Sequence, residues 1–229
     1  LGWVCGGPVA VVQALLAALG PTGTLMMPTH SGDLSNPANW GHPPVPESWW
    51  PIIRDTMPAY HPAYTPTRGM GRIPEIFRTM PGVLRSGHPT VSFAAYGPYA
   101  RELTENHQLV PCLGDGSPLG RLYDLDGFVL LLGVGHGNNT SLHLAEARAD
   151  HQKYIDEGSP IIENGKRVWK EMREIDWNDE PFEQIGAEFE AQHPIQRDKI
   201  AEAETRLFKQ RPAVDFAVDW LNRHPASGS

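Results

Sequence analysis

The sequence predicts an α/β fold: a mixed-sheet core with flanking helices and an appended C-terminal α+β region. Three observations lead there. The apolar run 127–134 is leucine-rich, long enough for a buried strand and too short for a membrane span. It ends in the turn Gly133-Val134-Gly135-His136-Gly137, which opens into a helical segment; open α/β sheets collect ligands at such strand ends. Beyond about residue 151 the pattern changes to a hairpin and two helices, without a clean linker.

Residues 8–19 predict an amphipathic helix, with Pro8 in its first turn and Gly20 just past its end. Residues 24–27 form a short strand that Pro28 stops. From Thr29 to Thr67 the chain carries Pro37, Pro43, Pro44, Pro46, Pro51, Pro58, Pro62 and Pro66, so this stretch is irregular, and long irregular stretches in compact domains are functional or disordered. Its aromatics Trp40, Trp49, Trp50, Tyr60 and Tyr64 favour an ordered, ligand-lining loop. A short helix follows at 73–80, a strand at 91–96, and another helical turn after Gly97-Pro98. Ser117-Pro118 starts a helix through Tyr123. The run 127–134 is the central strand. The helix at 140–151 is capped by Asn138, Asn139 or Thr140. Segments 161–163 and 167–175 form a hairpin turning at Asn164-Gly165, and helices follow at 182–191 and 212–223. There is no internal repeat, and 1–229 is taken as a single domain.

The chain has 229 residues, 40% of them hydrophobic and 20% charged, the composition of a globular protein. A formal charge of −8 argues against nucleic acid and anionic membrane as partners and favours a cationic small molecule. Two cysteines, Cys5 and Cys112, are too few for a disulfide framework, which points to a reducing, cytoplasmic setting. The start Leu1-Gly2-Trp3 has neither an initiator methionine nor a signal-like core, so the chain reads as beginning inside a longer protein. Nothing in the sequence sets an oligomeric state.

Several motifs come close to known chemistry and miss. The turn at 133–137 has the spacing G-x-G-x-G, whereas a dinucleotide fold needs G-x-G-x-x-G. Arg68-Gly69-Met70-Gly71-Arg72-Ile73 approaches the acyl-CoA loop of the common N-acetyltransferases, but Ile73 spoils its last position. His136, His143 and Glu146 lack the spacing of a zinc site, and no G-x-S-x-G elbow presents a serine nucleophile. His143 has the strongest claim, since it lies just beyond a glycine- and asparagine-rich turn at a strand end. Imidazole titrates near neutrality and can take a proton from an amine, provided a carboxylate holds its tautomer. Glu146, three residues on and on the same helix face, is the local candidate; the acidic run Asp176-Trp177-Asn178-Asp179-Glu180 is the distant one.

Several segments occur in an order that resembles the aminoglycoside 3-N-acetyltransferase family: Gly20-Pro21-Thr22-Gly23-Thr24, Thr65-Pro66-Thr67-Arg68-Gly69-Met70-Gly71, Arg85-Ser86-Gly87-His88-Pro89, Ser92-Phe93-Ala94-Ala95, Gly114-Asp115-Gly116-Ser117-Pro118, Asn139-Thr140-Ser141-Leu142-His143-Leu144-Ala145-Glu146 and Phe182-Glu183-Gln184-Ile185-Gly186. The resemblance covers nearly the whole chain. It implies the family's own α/β fold, acetyl-CoA as co-substrate, no metal, and acetylation of the 3-amino group of a 2-deoxystreptamine aminoglycoside, giving antibiotic resistance. The family's catalytic histidine falls on His143. Its carboxylate partner falls on Glu180, with the adjacent Asp179 as the alternative register. The Thr140 hydroxyl or nearby amides would stabilise the oxyanion. Thr67, Arg68, Gly69, Gly71 and Ser117 would hold CoA, with Arg68 or Arg72 on its phosphates. Asp33, Tyr64, Asp115, Asn139, Glu146 and Asp179 would face the cationic antibiotic. Family members begin with a strand and a V-H-x-S-L-like turn, of which Leu1-Gly2 is the tail. The rival readings are an acetyltransferase for another amine, a non-catalytic CoA- or antibiotic-binding protein, and a metal-dependent hydrolase.

Overall fold

The computed structural model describes residues 4–225; Leu1 and Gly2, matched above to the family's N-terminal turn, lie outside them. Along the chain run α1 (Gly7–Leu19), β1 (Leu25–Pro28), α2 (Trp50–Thr56), α3 (Arg72–Phe77), β2 (Leu84–Arg85), β3 (Phe93–Tyr96), α4 (Ala100–Thr104), α5 (Pro118–Asp124), β4 (Phe128–Leu132), α6 (Leu142–Arg148), β5 (Tyr154–Glu163), β6 (Lys166–Ile175), α7 (Phe182–Gln192), β7 (Gln196–Ile200), β8 (Ala203–Lys209) and α8 (Gln210–Arg223). The chain divides into two compact units, one of Pro8–Cys112 with Ile155–Glu174, the other of Leu113–Tyr154 with the chain from Ile175 onward and its first few residues.

The first unit is built on the antiparallel sheet β1-β3-β2, in the register Met27↔Ala94 and Leu84↔Ala95. Helix α1 lays Val12 against Met27, Ala94 and Phe77 of α3. Val12 and Phe77 are fully buried, and side chains of this kind contribute about 1.5–3 kcal/mol each. The proline-rich stretch is ordered, as its aromatics suggested. It holds single turns of 3-10 helix at Gly32–Leu34, Pro37–Asn39 and Glu47–Trp49 together with α2. Leu34, Met57 and Tyr60 form a second core with Trp40, Ile53 and Trp169 of β6. Hydrogen bonds also tie this stretch to the β5-β6 hairpin: Asn39 Nδ2 donates to Asp156 O at 3.0 Å and Arg167 Nε to Met57 O at 3.1 Å. The hairpin turns at Asn164-Gly165, where φ is +53° and +76°, the left-handed pair that an Asn-Gly turn supplies.

The second unit carries the antiparallel sheet β4-β8-β7. Leu131, Phe189, Phe208 and Ala213 form its core. At the start of α8, Gln210 is fully buried and donates to Leu119 O and Ser141 Oγ, both at 3.2 Å.

The structure redraws several expectations. The α/β class stands, but the strands fall into small antiparallel sheets instead of one mixed sheet. Among the described residues strand β4 lies at the edge of its sheet, not at the centre, and its burial alternates, leaving Phe128 55% exposed and Leu131 3%. Strands β7 and β8 were not foreseen; the polar run Gln-Arg-Asp-Lys of β7 is fully exposed and carries no apolar period. Helix α6 is shorter than 140–151, because residues 136–138 form a separate 3-10 turn and Ser141 is the N-cap residue, without a side-chain cap. Asn139 Oδ1 does accept the Ser141 N–H at 3.2 Å. Among the described residues no helix is long and apolar enough to cross a membrane.

Candidate active site

The second unit contains the chemistry the sequence anticipated around His143. Beyond β4, Gly133 donates its N–H to Glu204 O of β8 at 2.8 Å, so the turn leaves the strand under control of the sheet. Glu183 of α7 accepts the Gly137 N–H at 2.7 Å, and His136, buried, joins Glu190 of α7 through Nε2 at 2.8 Å. The turn into α6 is thereby fixed to α7 on two carboxylates. Glu190 also lies 2.9 Å from Arg206 Nε and pairs with Arg197, so this buried carboxylate is neutralised.

His143 sits in the first turn of α6 with its side chain 17% exposed. Its Nδ1 lies 2.5 Å from Glu146 Oε2, and Glu146 Oε1 accepts the Asn178 N–H at 2.8 Å. Glu146 therefore holds both the imidazole and the segment entering α7. The ring stands edge-on to Phe182 at 4.9 Å between centroids and to Trp177 at 5.6 Å. A proton on Nδ1 would be bonded by the Glu146 carboxylate and would leave the Nε2 lone pair for an acid.

The carboxylate beside His143 in the structure differs from the one that the resemblance suggested. Glu146, not Glu180, meets His143; Glu180 is exposed and its N–H donates to Asn178 Oδ1 at 3.1 Å. The reason is local: three residues apart on a helix, His143 and Glu146 face the same way. Glu146 is thus engaged with the histidine. Asp179 is exposed, and its carbonyl accepts the Phe182 N–H at 3.0 Å. Asp115 is 72% exposed and pairs with Arg148 at 2.7 Å. Asn139 is buried, 2% exposed, and its side chain serves the turn instead of facing a ligand. Ser117 is fully buried and caps α5 by accepting the Leu119 N–H at 3.1 Å. Thr140 is half-buried; its N–H donates to Asn138 O at 3.1 Å, leaving its hydroxyl as the group of that residue suited to an oxyanion. Trp177 and Phe182, the walls around the imidazole, were not singled out from sequence. Their placement beside an acidic run was the one available signal.

The remaining predicted residues belong to the first unit. Thr67 donates its N–H to Glu75 Oε2 at 2.8 Å and Arg68 its N–H to His30 O at 2.8 Å, with the Arg68 side chain exposed. Gly69 and Gly71 have φ of +73° and +81° with open space where a Cβ would stand, so they are glycines for backbone reasons. Burial pushes the Glu75 carboxyl up, but its bonds to Arg78 and Thr67 outweigh this and hold it at about 2. Tyr64 is 79% exposed and stacks on His61 at 4.2 Å; Asp33 is half-buried in the turn Gly32–Leu34. His88, 3% exposed, accepts the N–H groups of Thr90 and Val91 on Nδ1 and bonds Leu109 O through Nε2. Burial lowers it to about 4, despite the carbonyl contact. Among the described residues no group of three or more His, Cys, Asp or Glu side chains is arranged to hold a metal ion.

Comparison with known proteins agrees with this organisation. The aminoglycoside 3-N-acetyltransferase family model matches residues 1–222. The SPbeta prophage-derived aminoglycoside N(3')-acetyltransferase-like protein YokD of Bacillus subtilis (strain 168) is 50% identical over 222 residues, which cover 96% of this chain and 82% of that protein. Its crystal structure has a TM-score of 0.96 at 48% identity, covering 99% of this chain and 84% of that one. Aminoglycoside N(3)-acetyltransferase VII of Streptomyces paromomycinus is 38% identical over 242 residues, covering 96% of this chain and 81% of the relative. The structure of AAC-IIIb as a binary complex with CoASH has a TM-score of 0.83 at 30% identity, covering 98% of this chain and 86% of that one. The order of motifs, the fold and these likenesses lead to one conclusion: the chain is an acetyltransferase and belongs to the aminoglycoside 3-N-acetyltransferase family.

Proposed function

We propose that the protein transfers the acetyl group of acetyl-CoA to the 3-amino group of 2-deoxystreptamine aminoglycosides, conferring resistance, by direct attack in a ternary complex and without a metal. The observation that carries this reading is the contact of His143 Nδ1 with Glu146. An alkylammonium is no nucleophile until it loses a proton. That first proton leaves to solvent, and His143 Nε2 takes a second one from the free amine as its nitrogen bonds to the thioester carbon. Glu146 stabilises the imidazolium, and the Thr140 hydroxyl donates to the developing oxyanion. When the C–S bond breaks, the imidazolium returns its proton to the leaving thiolate. The backbone of 67–71 and the exposed Arg68 suit CoA phosphates, and CoASH occupies the similar AAC-IIIb. Exposed Asp179 supplies negative charge for the antibiotic's ammonium groups in the unit that holds His143, and Asp115 is exposed there in its pair with Arg148. Both units belong to one acetyltransferase domain in this reading, as the family match runs through both.

The test is CoA-thiol release from acetyl-CoA with gentamicin, with apramycin and with no acceptor, in the wild type and in His143→Ala. Release that needs an acceptor and falls roughly two to four orders of magnitude in the variant is expected. Unchanged turnover in a folded His143→Ala would remove the histidine from the mechanism. No release with any acceptor would leave the acetyltransferase of another amine as the better reading.

A further inference from the structure

Segment 62–68, which leads into the Gly69–Gly71 turn, is held along its backbone by three charged side chains of its own unit. Arg85 Nη1 donates to Thr65 O at 2.5 Å and to Pro62 O at 3.2 Å. Arg78 Nη1 donates to Ala63 O at 3.1 Å, and Glu75 accepts the Thr67 N–H at 2.8 Å. Glu75 in turn bonds Arg78 Nε at 2.9 Å, so the two clamps share one ion pair. Arg85 spends its other nitrogens on Thr29 O at 2.6 Å and Ser92 Oγ at 3.0 Å, and its guanidinium lies over the Tyr60 ring at 5.1 Å. All of these acceptors are neutral. Glu75 is bonded to Arg78, while Arg85 has no carboxylate in its hydrogen bonds, so the three side chains together carry one positive charge. A segment fixed in this way has little left to order when a ligand binds, and the residual charge favours an anion on it.

We propose that Arg85, Arg78 and Glu75 are positioning residues for the co-substrate, which preform the 65–71 loop for the phosphates of CoA without touching them. The proposal rests on the reading of that loop as the CoA-holding element. Its signature is selective: loss of a clamp weakens CoA and leaves the proton transfer at His143 alone.

The experiment compares wild type, Glu75→Ala, Glu75→Gln and Arg85→Lys by amide hydrogen exchange with and without CoA, CoA titration calorimetry and steady-state kinetics. In the wild type, CoA slows exchange of amides 65–71. In Glu75→Ala those amides exchange faster in the free enzyme, and both the CoA Kd and the KM for acetyl-CoA rise about ten-fold. The kcat and the KM for gentamicin stay within about two-fold. Glu75→Gln, which keeps an acceptor for Thr67, falls between the two, and it carries the test if the alanine variant does not fold. Arg85→Lys, which cannot reach its acceptors as a planar fork, behaves like Glu75→Ala. A loosened loop with unchanged CoA affinity in these variants overturns the proposal, as does a fall in kcat at constant KM. If CoA leaves amides 65–71 of the wild type unprotected, the loop is not the CoA element and the proposal falls with that reading.

Discussion

Gly186→Ala sets two effects of known size against each other. Gly186 lies inside α7, buried, and replacing an interior helical glycine by alanine is ordinarily worth up to about 1 kcal/mol of stability. Here the added Cβ would stand 1.9 Å from His136 Cγ and 2.3 Å from Cδ2. Ordinary contact needs roughly 3.5 Å, so the ring or the helix must move by more than an ångström. The ring cannot swing into water: His136 is 3% exposed, bonded to Glu190 at 2.8 Å and stacked 5.5 Å from Phe208. Forcing it aside costs about 1–3 kcal/mol as overpacking, and about 3–5 kcal/mol if the buried pair breaks. The clash wins, with a net loss of up to about 2 kcal/mol if the ring only shifts and about 2–4 kcal/mol if the pair breaks. Urea unfolding followed by far-UV circular dichroism should show a lowered midpoint at unchanged slope, and the double variant Gly186→Ala/His136→Ala should lose less than the sum of the single changes. A Gly186→Ala protein as stable as the wild type would refute the close approach of α7 to the 136–138 turn.

Other outcomes follow from the same geometry. Glu146→Gln should lower kcat by about one to three orders of magnitude, because the imidazolium loses its counter-charge; a loss in Glu180→Gln with none in Glu146→Gln would restore the partner suggested by resemblance. Acid should weaken the first unit through His88. Its folded value of about 4 lies below the unfolded value of 6.5, so between them only the unfolded state binds the proton and stability falls as pH drops, by about 3 kcal/mol in all and about 2 kcal/mol by pH 5. His88→Gln should flatten that slope in urea titrations at successive pH values, and an unaltered slope would reject the assignment. Ser117→Ala should cost about 1 kcal/mol in thermal or urea unfolding as a lost helix cap, with the KM for acetyl-CoA unchanged; a raised KM would return Ser117 to the co-substrate.

Elements with a strong local signal were legible. The Asn164-Gly165 turn, the helix start at Ser117-Pro118, the amphipathic α1 and α8 and the candidate base His143 are written in neighbouring residues and occur where the spacing placed them. Strand β7 was invisible because its exposed residues Gln196-Arg197-Asp198-Lys199 have no apolar face, and only pairing with β8 makes them a strand. The edge position of β4 was equally hidden, since an apolar run looks the same in the middle of a sheet and at its side.

The site divides in the same way. Sequence alone determined the family and singled out His143 and the acids near it as candidates, because these depend on residue identity and short spacing. Only the tertiary structure decided which acid stands beside the histidine. Glu146 can meet His143 because the α6 turn brings it there, and Asn178 then takes its second oxygen. It also decided that Ser117 and Asn139 are spent on a cap and a turn, and that Trp177 and Phe182 wall the ring. Those outcomes depend on burial and on contacts between residues far apart in the chain, which no local pattern encodes.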